Sequence, residues 1–106
     1  MVPTHEVSVE ELAAARPQGA EVIDVRSPEE YARGHVPGAI NIPIEDVLHS
    51  PERFNGESLH VICQGGGRSL RAAEAMNTAG AQAVSVSGGT SGWVESGRAV
   101  EGGADA

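Results

Sequence analysis

The sequence predicts a small α/β domain, a mostly parallel sheet with helices on both faces. Three observations carry that reading. The 106 residues are enough for one hydrophobic core and too few for two. Short β-branched runs alternate with segments that carry helix start and stop signals. The residues with chemical potential follow directly on the apolar runs, at the carboxyl ends of strands where open parallel sheets place their sites.

The elements follow in order. After a short apolar start around Val7, Ser8 with Glu11 three residues later reads as a capping box opening a helix over "VEELAAA", which "RPQG" ends. "AEVIDVRS" holds Val22, Ile23 and Val25, a buried strand ending in the charged pair Asp24 and Arg26. "SPEEYARG" places Ser27 at an N-cap, Pro28 at the first helical position, Glu30 at the third and Gly34 at the stop. "AINIP" gives a short strand, and "IEDVLHSPERF" a helix broken at Pro51. "NGESLHVIC" is a turn and a strand whose last residue is Cys63. In "SLRAAEAMNTAG", Leu70, Ala73, Met76 and Ala79 recur at helical spacing, with Gly80 as stop. "AQAVSVSGG" supplies another strand and "TSGWVESG" a last short helix. The domain core is expected over about 7–97 of a single domain spanning 1–106, with 98–106 a loose tail.

Composition removes several classes of function. A formal charge of −8 and the absence of lysine argue against nucleic acid or an anionic membrane as partner, since clustered positive charge binds both. No apolar run is long enough to span a bilayer, and the first residues lack the basic and apolar regions of a signal peptide, so the cytosol is the expected setting. One cysteine cannot form an internal disulfide, and His5, His35, His49 and His60 lack the close pairing of a zinc site; no metal is expected.

The chemistry centres on "VICQGGGRS". A thiol at a strand end, before a glycine-rich turn into a helix, lies where backbone N–H groups and the helix dipole favour an anion. Such surroundings lower a cysteine's pKa and raise the thiolate fraction. Gly65, Gly66 and Gly67 would let the backbone curl around the sulfur without Cβ clashes, and Arg68 offers a planar fork for an oxyanion. The competing reading is an inert buried cysteine beside an ordinary turn. Other cradles fail on residues. A Walker loop needs a lysine the chain lacks, and a dinucleotide fingerprint needs glycine where Leu70 stands. His60, three residues upstream on the same strand, is poorly placed as a protease base.

Four segments, in order, resemble the rhodanese family of single-domain sulfurtransferases: "VIDVRSPEEY", "YARGHVPGAINI", "CQGGGRS" and "VSGGTSGWVESG". The resemblance covers about residues 7–97. It implies a rhodanese-like fold with a five-stranded sheet, no cofactor, and a cysteine that alternates between thiol and persulfide. Carried over by position, Cys63 is the nucleophile, the backbone N–H groups of Gln64, Gly65, Gly66, Gly67, Arg68 and Ser69 hold the persulfide's outer sulfur, and Arg68 binds the donor's oxyanion end. Asp24 and Arg26 match a pair near the site that either orients the loop or is a structural ion pair. His35, Pro37 and Gly38 match a turn-forming signature, and Trp93 a core anchor. The implied partners are a small anionic sulfur donor such as thiosulfate and a thiophilic acceptor: cyanide, a thiol or a protein. A non-catalytic binding or redox-signalling module of the same fold is the alternative. Related phosphatases and arsenate reductases carry five residues between cysteine and arginine and tend to have histidine before the cysteine; here four residues and Ile62 stand in those places.

Overall fold

The computed structural model describes residues 3–102. Five strands, β1 Glu6–Val7, β2 Val22–Asp24, β3 Ile40–Asn41, β4 Ser58–Ile62 and β5 Gln82–Val86, form one sheet in the order β1-β5-β4-β2-β3. Every pairing is parallel. The central strands β4 and β2 align Ile62 with Asp24, so the Cys63 loop and the Asp24–Arg26 turn leave the sheet side by side.

Helices cover both faces. Residues of α3 (Ile44–His49) and α4 (Gly67–Thr78) pack with Ile23, Val25, Leu59, Val61, Cys63 and Ala83 in one cluster. On the other face, Val9 and Leu12 of α1 (Val9–Ala15) and Trp93 of α5 (Gly89–Glu95) pack with Val22, Ile62, Val86 and Val36. The alternation of strand side chains between faces produces this division: Val61 and Ile62 are neighbours in sequence and belong to opposite cores. α4 presents alanines at its buried positions, Ala72 and Ala73 beside Met76, which lets its backbone lie close to the sheet.

Local signals behaved as their chemistry requires. Ser8 and Glu11 close a capping box on α1, and Ser27 and Glu30 close another on α2 (Pro28–Ala32). Pro51 ends α3 and opens a short 3-10 turn, Pro51–Phe54. Cys63 falls just beyond β4, which ends at Ile62.

The segment expected as a loose tail departs from expectation in its described part. Glu101 exchanges two backbone hydrogen bonds with His35, both 2.9 Å, and its carboxylate accepts from Gly38 N–H at 3.0 Å. Trp93 Nε1 donates to the Ala99 carbonyl at 2.9 Å. Residues 98–102 therefore run back beside the turn that follows α2, held by backbone pairing with His35 together with the Glu101 carboxylate and the Trp93 ring N–H. The remainder of that tail, 103–106, lies outside the described residues.

Candidate active site

Two helix starts and one strand end build the site. α4 begins at Gly67 after Gly66, whose φ of 117° lies in the left-handed region that favours glycine. That turn folds the chain back over the thiol, and Gly66 N–H donates to Cys63 Sγ at 3.0 Å. Leu70 N–H is the first to reach a carbonyl of the turn, that of Gly66 at 3.2 Å. The N–H groups of Gly67, Arg68 and Ser69 therefore have no acceptor within the helix, and α4 has no side-chain cap to take them. Of the three glycines only Gly66 needs to be one: Cβ atoms at Gly65 and Gly67 would meet nothing within 4 Å, and neither residue has a positive φ. The expectation that all three relieve clashes around the sulfur is therefore not met: only Gly66 is required to be glycine, and by its backbone conformation rather than by a clash.

Cys63 is 1% exposed. Burial works to raise the thiol's pKa, but the Ser69 side chain and the backbone N–H groups of Ser69, Gly66 and Gly65 outweigh it, leaving the pKa below its ordinary value. Ser69 Oγ lies 3.4 Å from Sγ, donates to the Gly66 carbonyl at 3.0 Å, and shares a 2.8 Å hydrogen bond with Ser85 Oγ on β5. Ser69 was expected to act through its backbone; its hydroxyl takes part as well. Ser85 was not anticipated, although a serine among the apolar residues of "AVSV" was the available signal.

The carbonyl side of the loop is fixed by α5. Thr90 donates to the Cys63 carbonyl through N–H at 2.8 Å and Oγ1 at 3.0 Å, and Ser91 N–H donates to the Gln64 carbonyl at 3.1 Å. Gly89 permits this contact: a Cβ there would stand 2.5 Å from the Gln64 carbonyl oxygen and 2.6 Å from that of Cys63.

Asp24 and Arg26 form an ion pair, 0% and 3% exposed, in which Arg26 Nε and Nη2 meet the carboxylate at 2.8–3.1 Å. Arg26 Nη2 also donates to the Gly34 carbonyl at 2.9 Å, and its remaining nitrogen, Nη1, donates to Gln64 Oε1 at 3.1 Å. The pair is both structural and attached to the loop. Gln64 is stretched further by its own Nε2, which donates to Ser91 Oγ at 2.6 Å.

Arg68 differs most from expectation. Its Nη1 and Nη2 donate to Glu30 Oε1 and Oε2 at 2.7 and 2.9 Å, so its fork is filled by a carboxylate of α2. The guanidinium holds the Glu30 pKa down to about 2 against the opposing effect of burial. Glu30 was legible only as a helix cap, a task it also performs by accepting from Ser27 N–H at 3.0 Å.

His60 makes no hydrogen bond with Cys63; it lines a separate cavity of about 490 Å³ with Pro3, His5, Val7 and Val84. His35 stacks on Tyr31 at 3.6 Å between ring centroids, and its Nδ1 lies 2.8 Å from the Tyr31 carbonyl, a structural placement. Trp93 is 2% exposed and belongs to the core.

Comparison with known proteins bears on this loop, cradle and sheet together. The model of the rhodanese-like domain matches residues 8–96. The chain belongs to the rhodanese-like domain family. Thiosulfate sulfurtransferase 16, chloroplastic, of Arabidopsis thaliana is 37% identical over 74% of this chain and 78% of that protein. The tRNA sulfurtransferase of Pyrobaculum aerophilum is 31% identical over 81% of this chain, which spans only 17% of that longer protein. A rhodanese-related protein from Thermoplasma volcanium superposes with a TM-score of 0.82 at 31% identity, covering 91% of this chain and 96% of its own. Rhodanese-type sulfur transfer is the general activity that these relatives support. No helix among the described residues is long and apolar enough to cross a membrane.

Proposed function

We propose that the chain transfers sulfane sulfur through a persulfide on Cys63. The observation that carries the reading is the buried Sγ under the Gly66 N–H, with the N–H groups of Gly67 to Ser69 lacking helical acceptors beside it. Such an array favours a thiolate first and the negatively charged outer sulfur of a persulfide next.

The first step takes the outer sulfur of a donor such as thiosulfate. Cys63 thiolate attacks that sulfur, the donor's S–S bond breaks, and sulfite leaves with the electron pair. In the second step an acceptor nucleophile attacks the outer sulfur of the persulfide, and Cys63 thiolate is the leaving group. With cyanide the product is thiocyanate; with a thiol it is a new persulfide. Neither step needs a metal, a cofactor or an outside oxidant. The loop N–H groups bind the outer sulfur throughout, Ser69 steadies the inner one, and the Asp24–Arg26 pair holds the loop through Gln64. A cytosolic setting suits this cycle, because the nucleophile must begin as a free thiol.

Phosphate-ester chemistry is the less suited use of the same fold, since only four residues separate Cys63 from Arg68 and Glu30 already fills the arginine's fork. Intact-protein mass spectrometry decides the matter. Treatment with thiosulfate or polysulfide should add one sulfur atom to the wild type and none to Cys63→Ser, and cyanide should remove it. A wild type that gains no sulfur from any donor would overturn the reading in favour of a binding module.

A further inference from the structure

Beside the loop lies a groove of about 380 Å³ that the transfer cycle leaves without a role. Arg26, Glu30, Arg33, Gln64, Val94 and Val100 line it. Two of the charges are already spent: Arg26 on Asp24, and Glu30 on Arg68. The exposed Arg33 side chain has no hydrogen bond or ion pair among the described residues. The valines are 52% and 36% exposed, two of the four large aliphatic side chains this open to water among the described residues. An unpaired cation and an apolar pair thus converge on a groove that borders the loop at Gln64.

The groove is built rather than incidental. Val100 is held in its wall by the pairing of Glu101 with His35 and by the hydrogen bond from Trp93 to Ala99, one residue before it. Gly34 lets it approach: a Cβ there would lie 3.2 Å from Val100 Cγ2. The volume suits an organic molecule rather than a four- or five-atom inorganic ion.

We propose that this groove receives the sulfur acceptor, and that the acceptor is a small organic thiol carrying a hydrocarbon chain and a carboxylate, the chain against Val94 and Val100 and the carboxylate on Arg33. The proposal rests on persulfide formation at Cys63. The acceptor's thiolate attacks the outer sulfur of the Cys63 persulfide, one S–S bond forms as another breaks, Cys63 leaves as thiolate, and the product is the acceptor's own persulfide. Atoms and charge balance without another reactant.

The test follows discharge of the persulfidated protein by intact mass in single-turnover experiments. Its probes are 6-mercaptohexanoate and 6-mercaptohexanol, thiols of matched length that differ in the charged end, with 2-mercaptoethanol as a short reference. The carboxylate thiol should discharge the wild type about threefold faster than the alcohol, the scale of one exposed ion pair. In Arg33→Gln the ratio should fall to about one, and in Val94→Ser both six-carbon thiols should lose ground to 2-mercaptoethanol. A wild-type ratio at or below one, or a ratio that survives Arg33→Gln, overturns the groove as the acceptor site while leaving sulfur transfer intact. Failure of Cys63 to load at all overturns sulfur transfer itself, and the acceptor groove with it.

Discussion

Glu30 and Arg68, 38 residues apart in sequence, face each other as a two-bonded carboxylate–guanidinium pair across the mouth of the cysteine loop. Glu30 is not a mobile partner: its Oε1 also accepts from Ser27 N–H, so the start of α2 holds the carboxylate in place. The loop's arginine is thereby neutralised, and between it and Cys63 stand only the uncharged Gln64 and three glycines. An oxyanion donor must compete with Glu30 for the fork.

Replacing Glu30 by glutamine tests that competition cleanly, because glutamine also completes a capping box. With the charge gone, persulfide formation from thiosulfate should speed up, by about threefold to fivefold if the freed fork contributes on the scale of a partly exposed ion pair. Arg68→Ala should slow it by about tenfold, the loss of one charged hydrogen-bonding partner. Rapid-quench mass spectrometry reads both. Slower loading in Glu30→Gln would mean that Glu30 serves to aim Arg68 rather than to occupy it.

The same pair makes stability depend on acidity in a defined window. The folded-state pKa of Glu30 is about 2 against an ordinary value of 4.5. A depressed carboxyl contributes stability that is fully present above the ordinary value and is lost as pH falls towards the folded one. The pair is partly exposed, so the contribution should be on the order of 1 kcal/mol. Urea unfolding on either side of the window should show that drop, and Glu30→Gln should flatten it. An identical pH profile in the variant would show that other carboxyls carry the acid sensitivity.

Ser85 acts on the thiol at one remove. Ser69 has one proton; it donates to the Gly66 carbonyl while Cys63 is a thiol and is free to turn towards Sγ when a thiolate forms. Ser85 Oγ, fully buried against Ser69 Oγ, can donate to that oxygen in either state and so leaves the Ser69 proton available. Ser69→Ala should move the midpoint of the pH profile for Cys63 alkylation upwards, towards an ordinary thiol, and Ser85→Ala should move it the same way by less. A Ser85→Ala profile that overlays the wild type would reduce Ser85 to a packing residue.

Much of this architecture is written locally. Two capping boxes, the proline breaks and the short β-branched apolar runs of the strands are short-range effects, and each was legible from a few adjacent residues. So was the cysteine loop, since a thiol between an apolar strand and a glycine turn needs only its neighbours to be recognised. What escaped is long-range. Nothing near Arg68 names Glu30, nothing near Ser69 names Ser85, and the pairing of Glu101 with His35 uses backbone groups that every residue possesses. The glycine run shows the limit from the other direction: composition could not tell Gly66, whose φ demands glycine, from its two neighbours, whose φ does not.

A similar distinction separates Gly65 from Gly89, and it makes the final prediction. Gly89 has a φ of 58°, and a Cβ there would be driven to 2.5 and 2.6 Å from the carbonyl oxygens of Gln64 and Cys63, backbone atoms that cannot swing aside. Gly89→Ala should therefore push α5 off the loop, break the Thr90 and Ser91 hydrogen bonds to those carbonyls, and cost on the order of 3 kcal/mol or more. In a domain of this size that is a fall in Tm of roughly 10 °C or more. Gly65→Ala meets nothing within 4 Å and has no positive φ, so its Tm should stay close to that of the wild type. Thermal unfolding of the two variants side by side measures this. Because Gly65→Ala keeps the fold, its rate of sulfur loading then reports whether the space beside Gly65 is needed by the incoming sulfur. A stable Gly89→Ala protein would mean that the loop can retreat from α5, and that the close approach at Gly89 is not what holds it in place.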